Sequence, residues 1–359
     1  YALSSGDLNL NFYQVTSQEH PIPIYELYEL IGMEEGKDYI LMNDLSIVGM
    51  DWNPINTAIS SLNGNGYVIE FRPNLKARDN DINYGFFGKV NKNTVLKNIT
   101  LSIDKASEAD NRYILNIADD VTSFKTLNFG VLAGQNEGAI YNCEVRNTNS
   151  QVGIATSSDN TAVFNVAGLV ASNSGVITNS RVNGLRVTAS GYVAGFVVQN
   201  SGTISGSYFV GDLVNNITLS NYATAGFVYE NTSTAQIVGS YVGGAKILME
   251  DGQFNEEAII RDATITSGVT TAGFVYENAG YVGDSYSAVK ILATKSSGFV
   301  FENGISGRIY RSFSISDLTS TGVTALSFPF VGVEGTASLD NNNLNKVDGI
   351  VDCYYYDTG

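Results

Sequence analysis

Short runs of β-branched and aromatic residues alternate with Gly and Asn along most of the chain. This punctuation predicts many short strands joined by tight turns. Strong helix formers are scarce beyond the first 35 residues. The exception is Pro23-Ile24-Tyr25-Glu26-Leu27-Tyr28-Glu29-Leu30-Ile31, whose apolar residues recur at helical spacing. Gly32 or Gly36 is expected to end that helix. A strand, Tyr39-Ile40-Leu41-Met42, follows it.

The pattern also repeats. Ala167-Gly168-Leu169-Val170-Ala171-Ser172-Asn173 returns as Ala194-Gly195-Phe196-Val197-Val198-Gln199-Asn200 and as Ala225-Gly226-Phe227-Val228-Tyr229-Glu230-Asn231. It returns again as Ala272-Gly273-Phe274-Val275-Tyr276-Glu277-Asn278 and Ser297-Gly298-Phe299-Val300-Phe301-Glu302-Asn303. Weaker copies begin at Gly85 and Gly130. A second run follows each copy, such as Ile204-Ser205-Gly206-Ser207-Tyr208 or Ile237-Val238-Gly239-Ser240-Tyr241. The repeat glycines from Gly168 to Gly298 are 27, 31, 47 and 25 residues apart. A unit of about 25 residues is too short for a four-stranded propeller blade, which takes about 40. Three short strands and three turns per unit instead predict one rung of a parallel β-helix. Each rung would stack on the previous one at about 4.8 Å, so that like residues form columns.

The columns make physical sense. Phe196, Phe227, Phe274 and Phe299 are expected to stack inside the tube, each after a Gly where a Cβ would clash. Asn173, Asn200, Asn231, Asn278 and Asn303 suit a ladder of amides. Cys143 and Cys353 take the place of Ser180, Ser207, Ser240, Ser285 and Ser312 at the two ends of one column. Many rungs apart, they are expected to be free thiols rather than a disulfide.

Composition narrows the function. With 20 Lys+Arg against 36 Asp+Glu, the net charge is -16, which disfavours a nucleic-acid partner. The 21 Tyr and 17 Phe give ample apolar surface to bury. No run approaches the roughly 18 apolar residues of a membrane helix. The chain begins at Tyr1 without Met and shows no comparable cap at its other end, so it reads as a piece of a larger protein.

The run Gly-Phe/Leu-Val-x-x-Asn-x-Gly followed by Ile-x-x-Ser-Tyr resembles the GLUG motif of bacterial surface proteins. These include filamentous-haemagglutinin-type adhesins and the non-catalytic N-terminal regions of IgA-cleaving zinc proteases. Further segments share the resemblance: Tyr39 to Leu45, Trp52-Asn53-Pro54-Ile55, Leu62 to Ile69, and the closing Asp352-Cys353-Tyr354-Tyr355-Tyr356-Asp357. It covers roughly residues 36–359. It implies an all-β, right-handed parallel β-helix (a solenoid) displayed outside the cell, and it transfers no catalytic residue.

Candidate chemistry is sparse. The single histidine, His20 in Glu19-His20-Pro21, reads as an exposed loop residue rather than a catalytic one. Asp119 and Asp120 lie near Lys125 in sequence, a faint signature of calcium-dependent lyase chemistry. The sharpest polar feature is the row Glu230, Glu277 and Glu302, with Gln199 one rung earlier. Stacked carboxylates repel, which raises pKa values or invites a cation such as Ca²⁺. The ordinary alternative is a solvated edge whose glutamates splay apart. The run Asp340 to Gly349 faintly resembles a calcium loop but reads as a surface turn. Tyr229, Tyr276 and Phe301 share one column, either as a platform for sugar rings or packed beneath a loop or inside the tube. Three glycan acceptor patterns occur, at Asn98, Asn216 and Asn231. Asn98 falls in the Ser column and Asn231 in the ladder, leaving Asn216 as the candidate if the source is eukaryotic.

Residues 1–35 are thus expected to be a cap of helix and strand, and 36–359 a β-helix with loops inserted near 103–126 and 248–270. The functional expectation is a non-enzymatic extracellular adhesin or structural filament segment, with no resident cofactor or metal. Its partners would be a host or neighbouring-cell surface protein or glycan, or copies of itself. A carbohydrate-active or glycan-binding β-helix and the non-catalytic arm of a surface peptidase are the alternatives.

Overall fold

The computed structural model describes residues 20–76, 82–103, 115–116, 126–147, 153–155, 163–189, 191–215, 222–250, 253–321, 326–334 and 349–355. Within them the chain is a parallel β-helix. Four parallel sheets of 11, 15, 8 and 8 strands run along the tube. One rung crosses all four, as Ala223–Ala225, Val228–Asn231, Gln236–Val238 and Tyr241–Val242. The unit therefore holds four strands rather than the expected three. Only the bend at Gly226-Phe227 separates the first two, so they read as a single run in sequence.

Register between rungs is strict. Val197 pairs with Val228, Val228 with Val275, and Val275 with Val300. The expected columns follow from it. Phe196, Phe227, Phe274 and Phe299 are fully buried, with ring centroids 4.6, 4.9 and 4.8 Å apart. Phe330 extends the stack at 4.9 Å. A Cβ on Gly195, Gly226 or Gly273 would overlap the carbonyl oxygen of the next glycine in the column, so only glycine fits.

The Asn ladder is also formed. Nδ2 of Asn173 donates to Oδ1 of Asn200 at 2.8 Å, and the chain of bonds continues through Asn231 and Asn278 to Asn303 at 2.9, 2.8 and 2.7 Å. Asn136, not foreseen, starts the ladder at 2.7 Å from Asn173. All six amides are buried. Paired in this way they carry none of the penalty of an orphaned buried polar group.

The serine column has a regular device. Each backbone N–H donates to the hydroxyl one rung on, from Ser180 to Ser207 at 3.1 Å and from Ser207 to Ser240 at 3.2 Å. Each hydroxyl in turn donates to the carbonyl two residues before it, as Ser180 does to Thr178 at 3.0 Å. Cys143 and Cys353 occupy the same position, with Sγ 3.4 and 3.3 Å from the carbonyls of Tyr141 and Val351. Both thiols are free and buried. Burial pushes the Cys143 thiol up to about 12.

Asn98 is not in this column. Glu144 pairs through its N–H with Ile99, which places Ile99 opposite Cys143. Asn98 instead begins a column of left-handed turn residues, with Asn142, Asn179, Asp284, Arg311 and Asp352 at φ between 44° and 56°. The corner requires positive φ, which Asn and Asp tolerate best after Gly. Gly206 and Gly239 fill the same corner.

At the N-terminal end, Ile22–Ile24 is already a solenoid strand, parallel to Asp38–Leu41. The helix is therefore confined to Leu27–Ile31 and ends at Gly32. The Glu29 carboxylate accepts from the backbone N–H groups of Tyr25 and Glu26 at 2.6 and 2.9 Å, which closes its first turn. The later insertion is narrower than expected. Ala245–Glu250 and Gln253–Arg261 form an antiparallel hairpin, and Thr264–Ser267 has rejoined the tube beside Asp212–Asn215. The earlier insertion lies mostly outside the described residues, although Leu115–Asn116 pairs with Leu75 and Lys76.

Two measurements test this packing. Phe227→Ala removes a ring from the middle of the stack and is expected to cost about 3–5 kcal/mol in urea unfolding, the range for an emptied aromatic core site. Both thiols are expected to stay inert to a thiol reagent while folded and to react without prior reduction once unfolded. A disulfide-linked Cys143–Cys353 peptide from the intact protein would refute the column.

Candidate functional site

The outward row beside the Asn ladder holds the candidate residues. Register places Gln199 against Glu230, Glu230 against Glu277, and Glu277 against Glu302. The three carboxylates therefore sit on consecutive rungs, one strand spacing apart, and border a cavity of about 140 Å³. Gln199 Nε2 donates to Glu230 Oε2 at 2.9 Å, so one carboxylate has a neutral partner.

Glu277, half-buried in the middle, bears the strain. Burial raises its pKa, the charges of Glu302 and then Glu230 add to the rise, and a hydrogen bond from the Tyr229 hydroxyl opposes it. Among the described residues no three His, Cys, Asp or Glu side chains are grouped so as to hold a metal ion. The row runs along the tube instead of converging on a point, which is the geometry of an edge rather than of a coordination sphere.

Tyr229, Tyr276 and Phe301 lie outside the tube, half-buried, with centroids 5.1 and 5.2 Å apart. Tyr192 joins them at 4.9 Å from Tyr229. Beneath Tyr192 and Tyr229 is a small apolar cluster of Ala167, Ala194 and Val198. The tyrosines fill the corner between two sheets. Tyr229, Tyr276 and Phe301 stack nearly parallel, so each covers its neighbour's face, whereas Tyr192 is tilted against Tyr229. That arrangement suits packing better than the stacking of sugar rings. Burial, followed by the charges of Glu277 and Glu302, pushes the Tyr276 phenol up to about 12.

A second outer stack, of Tyr208, Tyr241, Tyr286 and Phe313, runs at 4.8, 4.9 and 5.0 Å. The aromatic residue after Ser207, Ser240, Ser285 and Ser312 was its sequence signal. At the adjacent corner Arg311 grips Asp284 through two bonds of 2.6 and 2.7 Å, which hold the Asp284 carboxyl below its ordinary value.

The remaining candidates do not gather here. His20 is exposed. Asn231 is locked in the ladder by the amides of Asn200 and Asn278. Asn216, the Asp119–Lys125 segment and 340–348 of the calcium-like run lie outside the described residues.

No family model, curated protein or solved structure matches this chain. Among the described residues no helix is long and apolar enough to cross a membrane.

A carboxyl whose folded pKa is raised adds stability below its ordinary value of 4.5 and loses that contribution as pH rises through the folded value. Glu277→Gln removes the loss. The variant is expected to gain over the parent as pH rises from acid to neutral, by less than about 1 kcal/mol because solvent screens the row. Unfolding curves at acid and neutral pH check this, and a gap that narrows toward neutral pH would contradict it.

Proposed function

We propose that this chain is a non-enzymatic, rigid β-helical rod displayed outside the cell, an adhesin or a structural segment of a surface filament. The observation that carries this reading is recurrence. Glutamates, tyrosines, serines and asparagines return at the same place on successive rungs. Catalysis needs a constellation held to about 0.5 Å and different from its surroundings. A surface that repeats itself every rung supplies stiffness and many equivalent contacts instead. The resemblance of the repeat to the GLUG motif supports the extracellular setting. The hairpin of residues 245–261, a sheet of its own apart from those of the tube, supports a rod that presents loops to partners.

Antibodies to the chain are expected to label intact cells of the source organism, and protease added outside is expected to remove the label. The purified chain is expected to leave polygalacturonate and immunoglobulin uncleaved. Cleavage of either one, abolished by Glu230→Gln, Glu277→Gln or Glu302→Gln, would overturn the reading.

A further inference from the structure

The columns make equivalent surfaces, so a specific site is best sought where the repeat is broken. That place lies near the capped end. There a cleft of about 490 Å³ opens between the exit of the helix, the loop 58–60, the turn 91–94 and Glu137. This volume is within the range of small-molecule sites, about 300–1,000 Å³. It is built from four separated segments, and none of its lining belongs to a column of like residues that continues along the tube.

Its walls are held by the backbone. The Gly36 N–H donates to the carbonyl of Ala58 at 2.9 Å, and the Glu137 N–H to that of Val90 at 2.8 Å. The buried Thr94 hydroxyl donates to the carbonyl of Ile59 at 2.6 Å. The ionic groups on one side are already matched. Lys89 Nζ is 2.7 Å from Glu137 Oε1, to which Gln135 also donates at 3.0 Å.

Other lining groups are unused. Among the described residues, the side chains of Glu35, Ser60, Lys92 and Asn93 make no hydrogen bond or ion pair. They offer an acceptor, a hydroxyl, an ammonium and an amide around one space. Ala58 and Ile59 are the only apolar side chains in the lining besides the methyl of Thr94. A ligand matched to this wall has little apolar surface and many groups that both donate and accept. Hydroxyls do both, whereas carboxylates only accept and ammoniums only donate.

We infer that this cleft binds a saccharide unit, through hydrogen bonds from Ser60, Lys92 and Asn93 and to Glu35. The inference rests on the reading of the chain as a displayed rod and names the chemistry of one partner. It places recognition near the capped end, with the repeated rungs as the stalk.

Saturation-transfer NMR on the full chain tests it, with lactose, cellobiose and N-acetylglucosamine as probes. At least one probe is expected to receive saturation, with a Kd of the order of 1 mM. Lys92→Ala combined with Asn93→Ala is expected to weaken binding about tenfold or more, a loss of about 1.4 kcal/mol. Both residues are exposed, so the melting temperature should hold. Ser60→Ala is an independent second variant. Lys290→Ala, far along the tube, is expected to bind as the parent does. Transfer to none of the three sugars, or equal transfer in the parent and both cleft variants, would overturn the site. Either result leaves surface display standing, because that is read separately on intact cells.

Discussion

Parallel backbone pairing between rungs is the constraint on which the rest of the molecule depends. It sets each rung about 4.8 Å above the last and allows almost no slip. A side chain must then live against its own counterpart in the next rung. Aromatic rings tolerate this by stacking and amides by donating head to tail. Hydroxyls accept from the backbone N–H of the rung before. Glycine is required where one rung's carbonyl comes too close for a Cβ, as at Gly226 against Gly273. The ladders inside the tube are thus solutions to one geometric demand, and each also satisfies a polar group or fills a void.

The same demand is costly for charges. Glu230, Glu277 and Glu302 are held at strand spacing whether or not their charges favour it. Burial and repulsion fall together on the middle residue. The protein relieves the row at one end with Gln199, whose amide donates where a fourth carboxylate would repel. Where opposite charges meet in one column, as at Asp284 and Arg311, the constraint becomes favourable and the pair is bidentate.

Insertions are tolerated because register is local. The chain leaves the tube after Val242, forms its hairpin, and resumes pairing at Thr264 against Asp212. A long excursion adds little closure entropy when both ends are anchored to neighbouring strands. Variation can therefore gather in loops and at the capped end while the repeated rungs stay regular. This division of labour is the physical basis for reading the repeats as scaffold and the irregular rungs as the place for specificity.

Much of this was legible in the chain. The repeat spacing, the Phe and Asn columns and the shared position of the cysteines followed from pattern alone, because a solenoid turns sequence period directly into spatial neighbours. Even the glutamate row was visible, since its members occupy one place in the unit. Other features needed the tertiary structure. The fourth strand was hidden because the corner at Gly226-Phe227 bends without a loop. Asn98 was misplaced by one residue because the left-handed corner carries no signature beyond Asn, Asp, Gly or even Arg. The outward side of Tyr229 and Tyr276 depended on how two sheets meet. The cleft was invisible because Glu35, Ser60, Lys92 and Asn93 share no motif and no period. The sequence by itself determined what stacks on what, since rung-to-rung pairing is periodic. Only the tertiary structure decided what meets across the break in that period, where neighbours in space are unrelated in sequence.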